Sequence, residues 1–392
     1  MRGKTGGQVQ LGFPVAPAVV VALVALAALV VTSCGSSPSA PQAGTPTTHH
    51  AGPAPATSSS TTTTGTPAST LPPVSTSGPL QPGAAIALPF SADRVTAAES
   101  PDGAVFAAPQ DPTSPSPSIA WVIDGNGPAA IAEHVPTGIA ALAADGTNFY
   151  VATYSTVFAY NRVSGNQDGQ WTMPTVQAAN SSDNGLVALA AAGGDVLVSI
   201  THGDTVSVYR IDPTSSAAPR LLLRGLGDAI GSDGSVYYES ADHHLDALRP
   251  SGATVTGPAL AATPNGLGGG VQYLDVVAGG AVWVSEPAGQ GLDAAYTTYD
   301  VATLHVLGTY SGSVTSSVVD SAAGPLVLEA AGTNAACPAA AQTPTACVFR
   351  IDVHGTLSDP VGVGSAVNLL GPGPAVVVSD TSTGQFDLVR LS

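Results

Sequence analysis

A short turn containing glycine, followed by a β-branched or aromatic run, recurs seven times along the chain. The copies are DGAVFAA from Asp102, DGTNFYVAT from Asp145, GGDVLVSI from Gly193, DGSVYYES from Asp233, GGAVWVSE from Gly279, AGPLVLEA from Ala323 and PGPAVVVSD from Pro372. Their aligned glycines, Gly103, Gly146, Gly194, Gly234, Gly280, Gly324 and Gly373, stand 43, 48, 40, 46, 44 and 49 residues apart. That interval holds four short antiparallel strands and their turns, a unit that cannot cover both of its own faces and must stack on copies of itself. Runs with helical spacing are scarce beyond the N-terminal segment, and Gly 45 and Pro 33 favour turns over long helices. The expected fold is all-β, a seven-bladed β-propeller over residues 83–392.

Each signature strand leads to a further strand that often ends in a polar turn. These are SIAWVIDGNG from Ser118, STVFAYNRVSG from Ser155, DTVSVYRIDP from Asp204, HHLDALRPSG from His243, AAYTTYDVATL from Ala294, ACVFRIDVHG from Ala346 and QFDLVRLS from Gln385. Fourth strands, such as PAAIAEHV from Pro128, follow only six of them. The missing one is available as GAAIALPF, Gly83 to Phe90, ahead of the first inner strand at Arg94 to Pro101. The last blade should therefore combine one N-terminal strand with three C-terminal ones, which removes an exposed sheet edge.

The first 33 residues form a leader in three parts. Arg2 and Lys4 are a positive start, Ala18 to Val31 is an unbroken apolar run, and Thr32 and Ser33 are small residues ahead of Cys34. An uncleaved membrane anchor using Val15 to Val31 is the competing reading. The stretch VTSC, Val31 to Cys34, resembles the lipobox of bacterial lipoproteins. The resemblance implies that Cys34 receives lipid on its sulfur, becomes the acylated N-terminus after cleavage, and holds the protein on the outer side of the cell membrane, each buried methylene contributing about 0.8 kcal/mol.

From residue 34 to residue 82 the chain is almost entirely Ser, Thr, Pro, Ala and Gly and carries no charge. Such a stretch cannot bury a core and reads as a disordered tether reaching roughly 40 Å, with O-glycosylation of its Ser, Thr and Pro clusters left open. His49 and His50 sit within it as a plain linker pair or a weak metal site.

Charge excludes several classes of function. The only lysine is Lys4, so the chain from Cys34 onward sets eight arginines against all 27 acids, a formal charge of −19. That surface repels phosphate backbones and anionic headgroups, so no nucleic-acid partner is expected. Schiff-base, Ser-Lys and P-loop chemistries lack their lysine. No G-x-S-x-G elbow, H-E-x-x-H pair, EF-hand loop or tandem C-x-x-C is present, and Asp124 with its DGNG fits a turn. No cofactor or metal is implied. Trp121, Trp171 and Trp283 read as blade packing, and the compact acid and histidine groups are Glu133-His134 and Glu239 with Asp242-His243-His244.

Cys337 and Cys347, ten apart, are expected to pair as a disulfide in an oxidising compartment, clipping a loop of blade six; free thiols or a metal pair are the alternatives. The repeats resemble the bacterial propellers related to WD40 and YVTN-type repeats, without a Trp-Asp signature, and this implies architecture and no activity. Near the expected channel stand the candidate ligand-binding residues Asp183, Asp228, Gln272, Tyr273 and Asn368. The longest expected loops, Pro109 to Pro117, Glu286 to Asp293 and Ala331 to Ala346, build an uneven rim on one face, where variable loops carry recognition. The leading functional expectation is a lipid-anchored extracytoplasmic binding or scaffold module for a protein or cell-envelope ligand. A hydrolase or lyase with a funnel active site, and a sensory partner of a membrane protein, stand as alternatives.

Overall fold

The computed structural model describes residues 79–391 apart from 92–94, 110–117, 125–126, 175–183, 203–204, 261–272, 287–292, 314–316, 322–323, 331–345, 365, 372–374 and 381–384. Within them lie seven four-stranded antiparallel sheets. Six are simple meanders in chain order: blade one over 95–135, two over 141–172, three over 184–225, four over 227–259, five over 273–313 and six over 317–364. Blade seven is assembled from both ends of the domain. Its order is Pro82–Ser91, Gln385–Leu391, Ala375–Asp380, Ala366–Leu370, with Ile86 opposite Leu388 and Pro82 opposite Leu391. The first strands of successive blades approach one another around the ring, except those of blades three and four, and blade seven meets blade one in the same way.

The signature glycines explain why the turns repeat. Gly103, Gly194, Gly234, Gly280 and Gly324 have φ between 77° and 93°, the left-handed region that a side chain disfavours. Gly193-Gly194 and Gly279-Gly280 each make a two-residue hairpin with both φ values positive, the turn whose twist matches the strands it joins. Gly146 departs from the pattern. There the Asp145 carboxylate accepts from the Thr147 and Asn148 amides at 2.6 and 2.8 Å, so the side chain shapes the turn and no left-handed glycine is needed.

Apolar packing sits in the seams between blades. Phe106 of blade one stacks on Phe149 of blade two at 5.0 Å between ring centres, and Phe149 stacks on Tyr160 at 5.1 Å. Trp283 is fully buried between blades five and six, edge-on to Tyr296, and the Trp171 indole donates to the Ser215 carbonyl of blade three at 3.0 Å. Leu88 of the N-terminal strand packs with Phe386 and Leu388 of its own blade and with Val105 and Ile123 of blade one. The closing strand thus fastens blade seven to its neighbour as well as completing it.

One boundary differs from the sequence expectation. The tether was expected to run through Pro82, yet Leu80 is 2% exposed and packs against Leu326, Leu369 and Leu391. A single leucine in a Pro, Ser and Thr-rich stretch has no periodic neighbours to mark it. The globular domain therefore begins before its first strand.

Turns joining first to second strands, and third to fourth, share one face and link adjacent blades. Arg162 of blade two reaches Asp102 of blade one at 2.5 and 2.8 Å, and this guanidinium holds the Asp102 carboxyl well below the usual carboxylate range. Arg390 donates to the Ile123 carbonyl at 3.2 Å. Of the three long loops expected to form the uneven rim, 110–117, 287–292 and 331–345 lie outside the described residues.

Candidate functional site

The seam between blades three and four is built differently from the others. Its apolar cluster has only four buried members among the described residues, Leu197, Val206, Val208 and Val236, while the other seams bury seven or more. The first strands of these two blades make no approach comparable to that of their counterparts elsewhere. Polar groups take the place of the missing hydrocarbon.

Asp228, on the first strand of blade four, accepts a short hydrogen bond from the Ser199 hydroxyl of blade three. Burial pushes the Asp228 carboxyl up, with the Ser199 hydrogen bond working in the opposite direction. Asp228, Tyr238, Asp246 and Thr256 lie opposite one another across the four strands of blade four and so share one sheet face. Burial also raises Asp246, and raises Tyr238 with a further contribution from the Asp246 charge beside it. The result is a polar ladder facing blade three.

Glu239 alternates onto the other face of blade four, where it is 1% exposed, and its Oε1 lies 2.6 Å from Nδ1 of His243. His243 occupies the tight connection to the third strand with φ of 61°, a conformation held by the Ser240 and His244 backbone hydrogen bonds on either side of it. His244 turns away and sets its Nδ1 3.1 Å from the Gly257 carbonyl. Glu133 and His134 are exposed on the outer strand of blade one, remote from any inner strand, so they do not join this group.

Below the ladder, on the tight-turn face, the same seam opens into a cleft of about 280 Å³. Three arginines line it: Arg210 and Arg220 from the third and fourth strands of blade three, and Arg249 just past the third strand of blade four. Arg210 pairs with Asp195 at 2.6 Å. Arg249 donates to the Tyr237 hydroxyl at 2.9 Å and to the Val301 carbonyl at 2.6 Å, and its guanidinium carbon sits 5.4 Å from the Tyr237 ring centre. The Arg249 guanidinium is therefore turned toward blade five, and it is the rest of the residue that borders the cleft.

Of the expected ligand-binding residues, Asp228 is brought into this seam. Asp183 and Gln272 lie outside the described residues, and Tyr273 and Asn368 are placed by backbone on the first strands of blades five and seven. Cys34 and Cys337 also lie outside, while Cys347 is fully buried on the third strand of blade six. No group of three or more His, Cys, Asp and Glu side chains spaced for a metal ion occurs among the described residues. The arginine cleft was missed at the level of sequence. A signal for part of it exists, because an arginine recurs at or just past the end of the third strand, as Arg210, Arg249, Arg350 and Arg390.

No protein-family model and no curated protein matches the chain. Solved structures similar to it are of distant sequence. They include the WD40 domain of Toxoplasma gondii coronin at 12% identity and a TM-score of 0.47, covering 80% of this chain and 86% of that one. An oligogalacturonate lyase in complex with manganese is similar at 11% identity and a TM-score of 0.49, covering 76% and 91%. Kluyveromyces lactis Hsv2 is similar at 9% identity and a TM-score of 0.44, covering 76% and 99%.

Proposed function

We propose that this protein is a membrane-anchored extracytoplasmic lipoprotein whose propeller head is a binding module. The observation that carries the binding half is the seam between blades three and four, where polar groups and an open cleft replace the apolar packing used in the other seams. A propeller gains its rigidity from stacked blades, so one under-packed seam is a place where stability has been exchanged for a recess. The titratable groups described here are tied to neighbouring blades or turns, Asp228 to Ser199, Glu239 to His243 and Glu329 to Tyr310, which suits a scaffold.

The anchor half rests on the leader and on Cys34, whose acylation supplies membrane attachment. Cys337 and Cys347 form a disulfide that clips the loop between the second and third strands of blade six. The two halves are tested separately. Wild-type protein should enter the detergent phase and carry lipid mass on its N-terminal peptide, while Cys34→Ala should lose both; a wild-type chain without lipid mass overturns the anchor. Ligand-observed NMR of the full chain in lipid nanodiscs, against a mixed panel of small acids, sugars, amines and nucleosides, should give hits that Leu221→Trp abolishes by filling the cleft. An absence of hits, or hits indifferent to Leu221→Trp, overturns the binding reading of this seam.

A further inference from the structure

We propose that the ring parts at the seam between blades three and four, where the Ser199–Asp228 hydrogen bond serves as its latch. This concerns motion of the head and stands whether or not the recess takes a ligand. Six residues ahead of the signature glycine, the first strands of the other blades carry Ala97, Ala140, Ala188, Leu274, Val318 and Val367; blade four alone carries an acid there, Asp228. Leu274 and Val318 are buried in the two seams that follow, packed into the apolar clusters of those seams. Across blade three, Ala188, Ala190 and Ala192 lie opposite Ser199, Leu197 and Asp195, so they share the face turned to blade four. Among the described residues, methyl groups are what that inner strand offers, and Ala188 is exposed. The inner half of this seam is therefore held by a hydrogen bond where its counterparts are held by hydrocarbon. Little apolar area is lost when it separates, which places its opening at the low end of local motions in free energy.

The chain crosses this seam through one residue. Blade three ends at Gly225, blade four begins at Gly227, and Leu226 between them donates its amide to the Glu239 carbonyl at 2.9 Å. Glycines on both sides of Leu226 let the backbone absorb a rotation. At the tight-turn end the touching parts are backbone turns, since a β-carbon on Gly193 would fall 2.7 Å from the Asp233 carbonyl oxygen, and no side chains interlock at that point. Protons control the latch. On its own blade Asp228 shares a face with Tyr238, Asp246 and Thr256, and Asp242 and His244 bear on Asp246. The facing sheet of blade three presents Ser199, Thr201, the Asp195–Arg210 pair and the exposed Arg220. The closed seam takes Asp228 out of water and opposes its ionisation, and the parted seam returns it to water. Asp246 gains as well, because its Oδ1 is buried with no hydrogen-bond partner among the described residues. Opening therefore becomes easier as pH rises through the raised value of the closed seam.

The test is native-state thiol labelling of the full chain in lipid nanodiscs, read peptide by peptide by mass spectrometry so that the native cysteines are counted apart. Val208→Cys reports on this seam and Val284→Cys on the seam between blades four and five; the two valines are 0% and 1% exposed. Each rate is divided by that of the same variant in denaturant at the same pH, which removes the titration of the thiol itself. At neutral pH Val208→Cys should label at least about tenfold faster than Val284→Cys, because local opening reaches it without unfolding of the domain. Adding Ser199→Ala should speed Val208→Cys severalfold and leave Val284→Cys unchanged. The Val208→Cys rate should also climb severalfold between about pH 5 and pH 7, and Asp228→Asn should flatten that climb. Equal rates at the two cysteines would mean that both are reached only by global unfolding. A Val208→Cys rate indifferent to Ser199→Ala would leave the seam without its latch, and a climb that survives Asp228→Asn would take proton control away from Asp228. Each of these overturns the proposal.

Discussion

Replacing Leu88 by alanine tests whether the N-terminal strand is an integral part of the ring. Leu88 is 1% exposed and sits among Val105, Ile123, Phe386 and Leu388, which come from two different blades and from the far end of the chain. The strand edges on both sides are pinned by their own ladders, so the site has little freedom to collapse around the missing carbons. The cost should therefore fall in the middle of the range for a leucine truncated in a packed core, about 3 kcal/mol. For a domain of this size that corresponds to a fall in melting temperature on the order of 6 °C. Differential scanning calorimetry of the full chain in one fixed detergent reads it directly. Ala87→Ser on the same strand is the control, because Ala87 is exposed and should change stability by no more than about 0.5 kcal/mol. The Leu88 variant should also aggregate more readily on heating, since a loosened strand uncovers the backbone edge of Gln385–Leu391. A melting temperature within a degree of wild type, matching Ala87→Ser, would refute the role given to this strand.

Asp228→Asn should stabilise the fold as pH rises. The folded-state carboxyl titrates above its ordinary value of 3.8, so the neutral form is favoured at low pH and ionisation opposes folding as pH climbs through the raised value. Urea denaturation should find the variant gaining on wild type between about pH 4 and pH 7, with Ser199 still able to donate to the amide oxygen; a difference that stays flat across that window would contradict the buried placement. For Cys337 and Cys347, alkylation in denaturant without reductant should leave both unmodified, and quantitative labelling of the two would exclude the disulfide.

Much of the architecture was legible because the determinants are local. The left-handed glycines at Gly103, Gly194, Gly234, Gly280 and Gly324 announce their turns within a few residues, and the count of outer strands exposed the need for Gly83 to Phe90 in blade seven. Gly146 matched the pattern in letters only, since Asp145 performs the capping there. Leu80 was illegible because one apolar residue carries no period. The seam was illegible for a different reason. Ser199 meets Asp228 across 29 residues, and the residues that line the cleft come together only once two blades are set side by side. Alternation along a strand says which residues leave one face of a sheet. It does not say which neighbour that face will meet, and the chemistry of a propeller is decided there.

The closing strand also sets an order on folding. Gln385 donates from its side chain to the Leu88 carbonyl, a contact that spans 297 residues. At ordinary synthesis rates of about 5–20 residues per second, the partner strand follows the N-terminal one by tens of seconds. Throughout that interval Pro82–Ser91 has no sheet to join, and any chain halted before Gln385 keeps an unpaired edge in blade seven. Ring closure thus requires the C-terminal strand as well as the N-terminal one. An incomplete chain announces itself by two sticky strands at once, one at each end of the domain.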